Sequence, residues 1–146
     1  MSEDKYYNIS WEKFHNDVKE LAKIIKDKNI KFDKLVAVAR GGYLPAGILA
    51  YELEARDVES ISVQTYDGEV QRDQKEAKVV THLEGDGENC LIIDDLVDTG
   101  GTIKLLKARF PKATFASVYV KEQSKDIIDL YTSITPSDKW IMFPWD

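Results

Sequence analysis

The sequence predicts an α/β domain: a mainly parallel, twisted sheet flanked by helices, with a small piece appended at the C-terminus. Three observations predict it. Stretches of strand character, apolar or β-branched, stand at 35–39, 61–66, 90–94 and 114–120, and they alternate with helix-period segments. The run at 90–94 ends in acidic residues and a Gly-Gly turn that opens a helix, the layout of a strand delivering a ligand loop. The length of 146 residues is that of about one domain and is sufficient to bury a sizeable core.

Taken in order, Ser10 is placed to cap a helix in which Phe14, Val18, Leu21 and Ile25 recur at helical spacing, and Asn29 ends it. The apolar run 35–39 stops at Arg40-Gly41-Gly42. Pro45 suits the first turn of a second helix, through about Leu53. Residues 61–66 are rich in β-branched side chains and read as a strand. Residues 67–88 turn polar, an excursion whose length in a compact domain points to a functional or mobile segment. Glu84-Gly85-Asp86-Gly87-Glu88 is a turn signal. Strand 90–94, helix 102–110 and strand 114–120 follow, then a tail with a further strand over 127–134 and an aromatic end, Trp140-Ile141-Met142-Phe143-Pro144-Trp145-Asp146. The chain is read as one domain over 1–146, with a core of about 10–121, a mobile loop of about 67–84 and a hood of about 122–146.

Composition narrows the function. Apolar residues make up 43% and charged residues 32%, an ordinary globular mixture. A net charge of −6 argues against nucleic acid as a partner. No apolar run approaches the roughly 18–20 residues that span a bilayer, and Met-Ser-Glu-Asp-Lys-Tyr-Tyr lacks a signal layout. A cytoplasmic protein is expected. Lys19, Lys23, Lys26 and Lys28 read as a solvated helix face, with weak peripheral membrane association as the other reading. The lone Cys90 sits among Leu91, Ile92 and Ile93 and reads as a buried, inert thiol. His82 has no partner at metal-ligand spacing, so no zinc site is expected.

The chemistry lies in Asp94-Asp95-Leu96-Val97-Asp98-Thr99-Gly100-Gly101-Thr102. Gly100 and Gly101 let successive N–H groups converge on an anion. Thr99 and Thr102 add hydroxyls, and the following helix adds its positive end. Three carboxylates beside a phosphate repel it unless they hold hydroxyls, a metal or a proton; a ribose diol and Mg²⁺ supply such partners. The dinucleotide fingerprint and the phosphate-loop lysine motif are both absent.

Residues 90–102 resemble the signature by which type I phosphoribosyltransferases bind 5-phosphoribosyl-1-diphosphate (PRPP). Ala39-Arg40-Gly41-Gly42 resembles the family's pyrophosphate loop, and Tyr66-Asp67 with Gln71-Arg72 the start of its mobile loop. Gly85-Asp86-Gly87, Lys121, Trp140-Ile141 and Pro144-Trp145-Asp146 are similar to the bacterial xanthine-guanine branch. The resemblance covers nearly the whole chain. It implies the type I phosphoribosyltransferase fold and a Mg²⁺-dependent purine salvage reaction. PRPP and a 6-oxopurine, guanine or xanthine first, give the nucleoside 5′-monophosphate and pyrophosphate.

By the same resemblance Arg40 and Gly41 hold pyrophosphate, joined by Arg72 when the mobile loop closes. Asp94 and Asp95 contact the ribose hydroxyls, with Asp95 in the Mg²⁺ shell. Asp98 takes the proton from purine N7, and Thr99, Gly100, Gly101 and Thr102 bind the 5′-phosphate. Lys121 donates to the purine 6-oxygen, Trp140 stacks on the base, and the Ile141 backbone reads the 2-position. A homo-oligomer, tetramer or dimer, is implied as well. Two other readings remain: a hypoxanthine-preferring enzyme, and a non-catalytic nucleotide-sensing regulator of the same fold. The regulator needs a basic face that the scattered lysines do not suggest.

Overall fold

The computed structural model describes residues 5–66, 76–79 and 83–146, and for 65, 66 and 76–79 the backbone only. In chain order the elements are β1 (Tyr6–Asn8), α1 (Trp11–Asp27), β2 (Lys34–Ala39), α2 (Tyr43–Glu52), β3 (Val58–Tyr66), β4 (Glu76–Val79), β5 (Cys90–Val97), α3 (Gly101–Arg109), β6 (Thr114–Lys121), β7 (Leu130–Thr135) and β8 (Trp140–Met142). A 3₁₀ turn, Glu122–Ser124, follows β6 directly. Arg72 and His82 lie outside the described residues, as does most of the expected mobile loop, whose only described parts are β4 and residues 83–84.

The main sheet runs β4-β3-β2-β5-β6-β7, parallel throughout except for β4, which pairs antiparallel with β3. From β2 the chain winds outward through α2 to β3; from β5 it winds the other way through α3 to β6. The order therefore reverses between the neighbours β2 and β5, where an open parallel sheet leaves a crevice at its carboxyl edge.

The central strands β2, β5 and β6 are buried on both faces, which is why they read as continuous apolar runs. Leu35 and Ala37 of β2, with Leu91 and Ile93 of β5, pack under α1 and α2. Val36, Val38 and Ile92 point the other way, against Ile103, Leu106 and Phe110. The α1 pattern is as expected: Ser10 Oγ accepts the Lys13 N–H at 3.0 Å, and Phe14, Val18, Leu21 and Ile25 are buried. Lys19, Lys23, Lys26 and Lys28 are exposed, as a solvated face requires. Cys90 is buried, and that burial pushes its thiol pKa up, away from reactivity. Among the described residues no helix is long and apolar enough to cross a membrane.

Several elements differ from expectation. β5 continues to Val97, three residues past the expected end at Asp94, so Asp95 too stands on the strand end; pairing of Asp94 with Ser117 and Leu96 with Tyr119 carries it on. The tail strand begins at Leu130, three residues later than expected. β1 and β8 form a separate parallel ribbon, pairing Tyr6, Tyr7 and Asn8 with Trp140, Ile141 and Met142. Phe143 and Trp145 beyond it stack at 4.5 Å and 9°, and Trp145 meets Phe14 edge-on at 5.0 Å, so α1 anchors the aromatic tail.

Candidate active site

The carboxyl ends of β2 and β5 bring two sequence-distant segments together. After β2 the chain turns through a cis Ala39–Arg40 peptide into Gly41 and Gly42. A Cβ at Gly41 would stand 2.5 Å from Asp95 Cγ and closer still to its carboxylate oxygen. At Gly42 it would meet the carbonyl oxygens of Ile93 and Val38, both at 2.5 Å. Both glycines are thus demanded by close approach, and the Arg40–Gly41 turn lies directly over the Asp95 carboxylate.

Asp94 and Asp95 form a half-buried acidic pair. The Asp95 N–H donates to Asp94 Oδ1 at 2.8 Å. Burial, then the neighbouring Asp95 charge, raises the Asp94 carboxyl well above the usual aspartate range. Burial raises Asp95 as well, and the charge of Asp146 acts in the same direction. Such a pair attracts protons, hydroxyl hydrogens or a cation.

Past Asp98, which is exposed, Gly100 takes φ +90°, a left-handed conformation that favours glycine, and α3 begins. No side chain caps α3, in contrast to α1. Among the described residues the first amide of this segment with a main-chain acceptor is that of Lys104, which donates to Gly100 C=O at 2.9 Å. Ahead of it, residues 99–103 line a cavity of about 120 Å³ together with Asp94, Leu96, Val97 and Asp98. Unclaimed amides, two threonine hydroxyls and a helix N-terminus make this a cradle for an anion.

The remaining positions lie along β6 and β8. Lys121 ends β6 only 5% exposed, and its ammonium donates to the Lys139 carbonyl at 2.5 Å, leaving two further N–H donors. Next to Lys139 the Trp140 indole is 67% exposed, an apolar face without cover. The Ile9 N–H donates to Met142 C=O at 2.9 Å, so the backbone of Met142 faces β1. Strand alternation turns the N–H and C=O of Ile141 to the opposite, unpaired edge.

Of the expected site residues, Arg40, Gly41, Asp94 and Asp95 meet at the β2–β5 junction, and Asp98, Thr99, Gly100, Gly101 and Thr102 build the cradle beside it. Lys121 is joined to Trp140 and Ile141 through the Lys139 carbonyl. Two residues went unexpected. The Asp146 carboxylate acts electrostatically on Asp95, and Ser124 Oγ donates to the Asp98 carbonyl at 2.6 Å. An Asp at the end of an aromatic tail is a signal that could have pointed to the first; nothing in the sequence marks the second.

A cation fits the acidic pair. Among the described residues no group of three or more His, Cys, Asp or Glu side chains could hold a metal alone. Mg²⁺, however, commonly takes one or two carboxylates and completes its shell with water and phosphate oxygens.

Comparison with known proteins gives a consistent result. The model of the phosphoribosyl transferase domain matches residues 10–146. A xanthine-guanine phosphoribosyltransferase of Desulfotalea psychrophila is 41% identical over 96% of this chain and 86% of its own. One of Gluconobacter oxydans is 42% identical over 97% and 84%. Among solved structures, a purine phosphoribosyltransferase from Pyrococcus horikoshii superposes with a TM-score of 0.78 at 28% identity, covering 97% of this chain and 95% of that one.

Proposed function

The chain belongs to the phosphoribosyl transferase family, and from that premise we propose that it joins a 6-oxopurine, guanine or xanthine, to the ribose of PRPP and releases pyrophosphate. The observation that carries this reading is the meeting of the Gly41 turn with Asp95 beside the uncapped start of α3. A substrate with a sugar diol between two phosphate groups suits that arrangement.

The bond from ribose C1 to the pyrophosphate oxygen breaks, and its electron pair leaves with pyrophosphate. The purine nitrogen supplies the pair for the new bond to C1. The proton on N7 passes to the Asp98 carboxylate, a general base of the kind that contributes about 10²–10⁴-fold. Thr99, Gly100, Gly101 and Thr102 hold the 5′-phosphate, and Asp94 and Asp95 accept from the ribose hydroxyls. Asp95 would hold a Mg²⁺ ion, which when bound would supply charge neutralisation for the leaving group. Arg40 and the Gly41 amide bind that leaving group, with Arg72 added from the 67–84 loop as a lid that keeps water from the sugar cation. Lys121 donates to the 6-oxygen, Trp140 covers one face of the base, and the free edge of Ile141 reads the 2-position.

The same reading makes the chain a cytoplasmic salvage enzyme working as a homo-oligomer, dimer or tetramer. Release of pyrophosphate from PRPP and Mg²⁺ is measured with guanine, xanthine and hypoxanthine in turn. Fastest turnover on guanine or xanthine supports the proposal, a preference for hypoxanthine redirects the base assignment, and no turnover on any of the three rejects it.

A further inference from the structure

We propose that Ser124 is a positioning residue for Asp98, coupling the purine-reading end of β6 to the phosphate cradle. The inference rests on the reading of Asp98 as the base. Among the described residues the Asp98 carboxylate is exposed and has no hydrogen-bond partner, so its placement is set by its main chain. That main chain is held from outside the loop. Ser124 is 1% exposed, and its Oγ spends its proton on the Asp98 carbonyl at 2.6 Å across 26 residues of sequence.

The support is built as a unit. Ser124 closes the 3₁₀ turn that starts immediately after Lys121, and the Ile127 N–H donates to the Ser124 carbonyl at 3.1 Å. Ile127 Cδ1 then packs where a Gly100 Cβ would be, 2.5 Å from that position. Lys107 of α3 donates to the Ile127 carbonyl from the other side. The turn therefore touches the cradle at Asp98 and at Gly100, on either side of Thr99. A hydroxyl buried this deeply is favourable only with a partner, and the partner is the carbonyl of the reacting residue. Through this turn Lys121 is linked to Asp98, the two residues assigned to the 6-oxygen and N7 of the base.

The test is a cycle of wild type, Ser124→Ala, Asp98→Asn and the double variant, with kcat and both KM values measured and melting temperature as a folding control. Ser124→Ala is expected to lower kcat about ten- to a hundredfold, the effect of a small misplacement, with the KM for PRPP within about twofold. In the Asp98→Asn background the same change should move kcat by less than about twofold, since residues acting as a unit are not additive. An unchanged kcat in Ser124→Ala, or an equal loss in both backgrounds, overturns the proposal.

Hydrogen exchange of the amides at 98–102, without substrate, decides independently of turnover. Faster exchange there in Ser124→Ala, with α1 unchanged, is expected, and equal exchange overturns the proposal. Absence of turnover by the wild type, or an Asp98→Asn variant as fast as wild type, would instead reject the function assigned to the site.

Discussion

Gly41 and Asp95 lie so close that no side chain fits between them: a Cβ at 41 would stand 2.5 Å from Asp95 Cγ. Because Asp95 offers the mobile end of a side chain, Gly41→Ala should fold and displace the carboxylate. Its melting temperature is expected to stay near wild type while the KM for PRPP rises about tenfold or more, a shift of one energetic decade. Gly42→Ala meets fixed backbone oxygens and should instead cost about 1–3 kcal/mol of stability. Thermal melts of the two variants, read beside steady-state kinetics, check the contrast.

Asp94 gives a pH prediction. Its carboxyl holds a proton more tightly in the fold than in the unfolded chain, by burial first and the Asp95 charge second. The folded state therefore binds the extra proton, and stability from this group is present at low pH and lost as pH rises through the folded value. Asp94→Asn removes the titration. Its melting temperature in the ligand-free protein should match wild type near pH 4 and exceed it increasingly towards about pH 7, the ordinary aspartate range being left behind. A gap that is constant or closes with pH contradicts the assignment. The same variant should bind PRPP more weakly.

Asp98→Asn keeps shape and loses the proton acceptor. A fall in kcat of about 10²–10⁴-fold is expected, with PRPP affinity little changed. Stopped-flow turnover and equilibrium binding separate the two effects.

Trp140→Ala should leave the fold intact, because the ring is mostly in solvent. Loss of a stacking face worth about 1–3 kcal/mol should raise the KM for the base roughly tenfold or more. Melting curves that coincide with wild type, alongside an unchanged KM for guanine, would exclude the stacking role.

How much of this was legible in the sequence depended on whether the signal was local. The α1 cap and its buried stripe were visible because Ser10, Phe14, Val18, Leu21 and Ile25 act within one helix. The cradle at 98–102 was visible because glycines, threonines and a helix start sit in one stretch. The true end of β5 was hidden: the residues after Asp94 read as loop, and only pairing with β6 carries the strand to Val97. β1 and β8, three residues each, are too short for any periodicity, and they exist because each covers the other. The hydrogen bond from Ser124 to Asp98 joins residues far apart in sequence and left no trace in either segment.

The β1–β8 ribbon has a bearing on how base preference can change. The side proposed to hold the sugar is built from strand ends locked into the core, where a shift in Gly42 or Ile93 would disturb the sheet. The side proposed to read the base lies on the separate ribbon, held by three residue pairs between Tyr6–Asn8 and Trp140–Met142 and by the packing of Ile141, Phe143 and Trp145 on the α1 side of the core. Substitutions in Tyr6–Asn8, remote from any chemistry, can tilt Ile141 without disturbing the phosphate cradle. Specificity for the purine can thus drift over evolutionary time while the reaction itself is conserved, and a library aimed at new bases should begin at that short N-terminal strand.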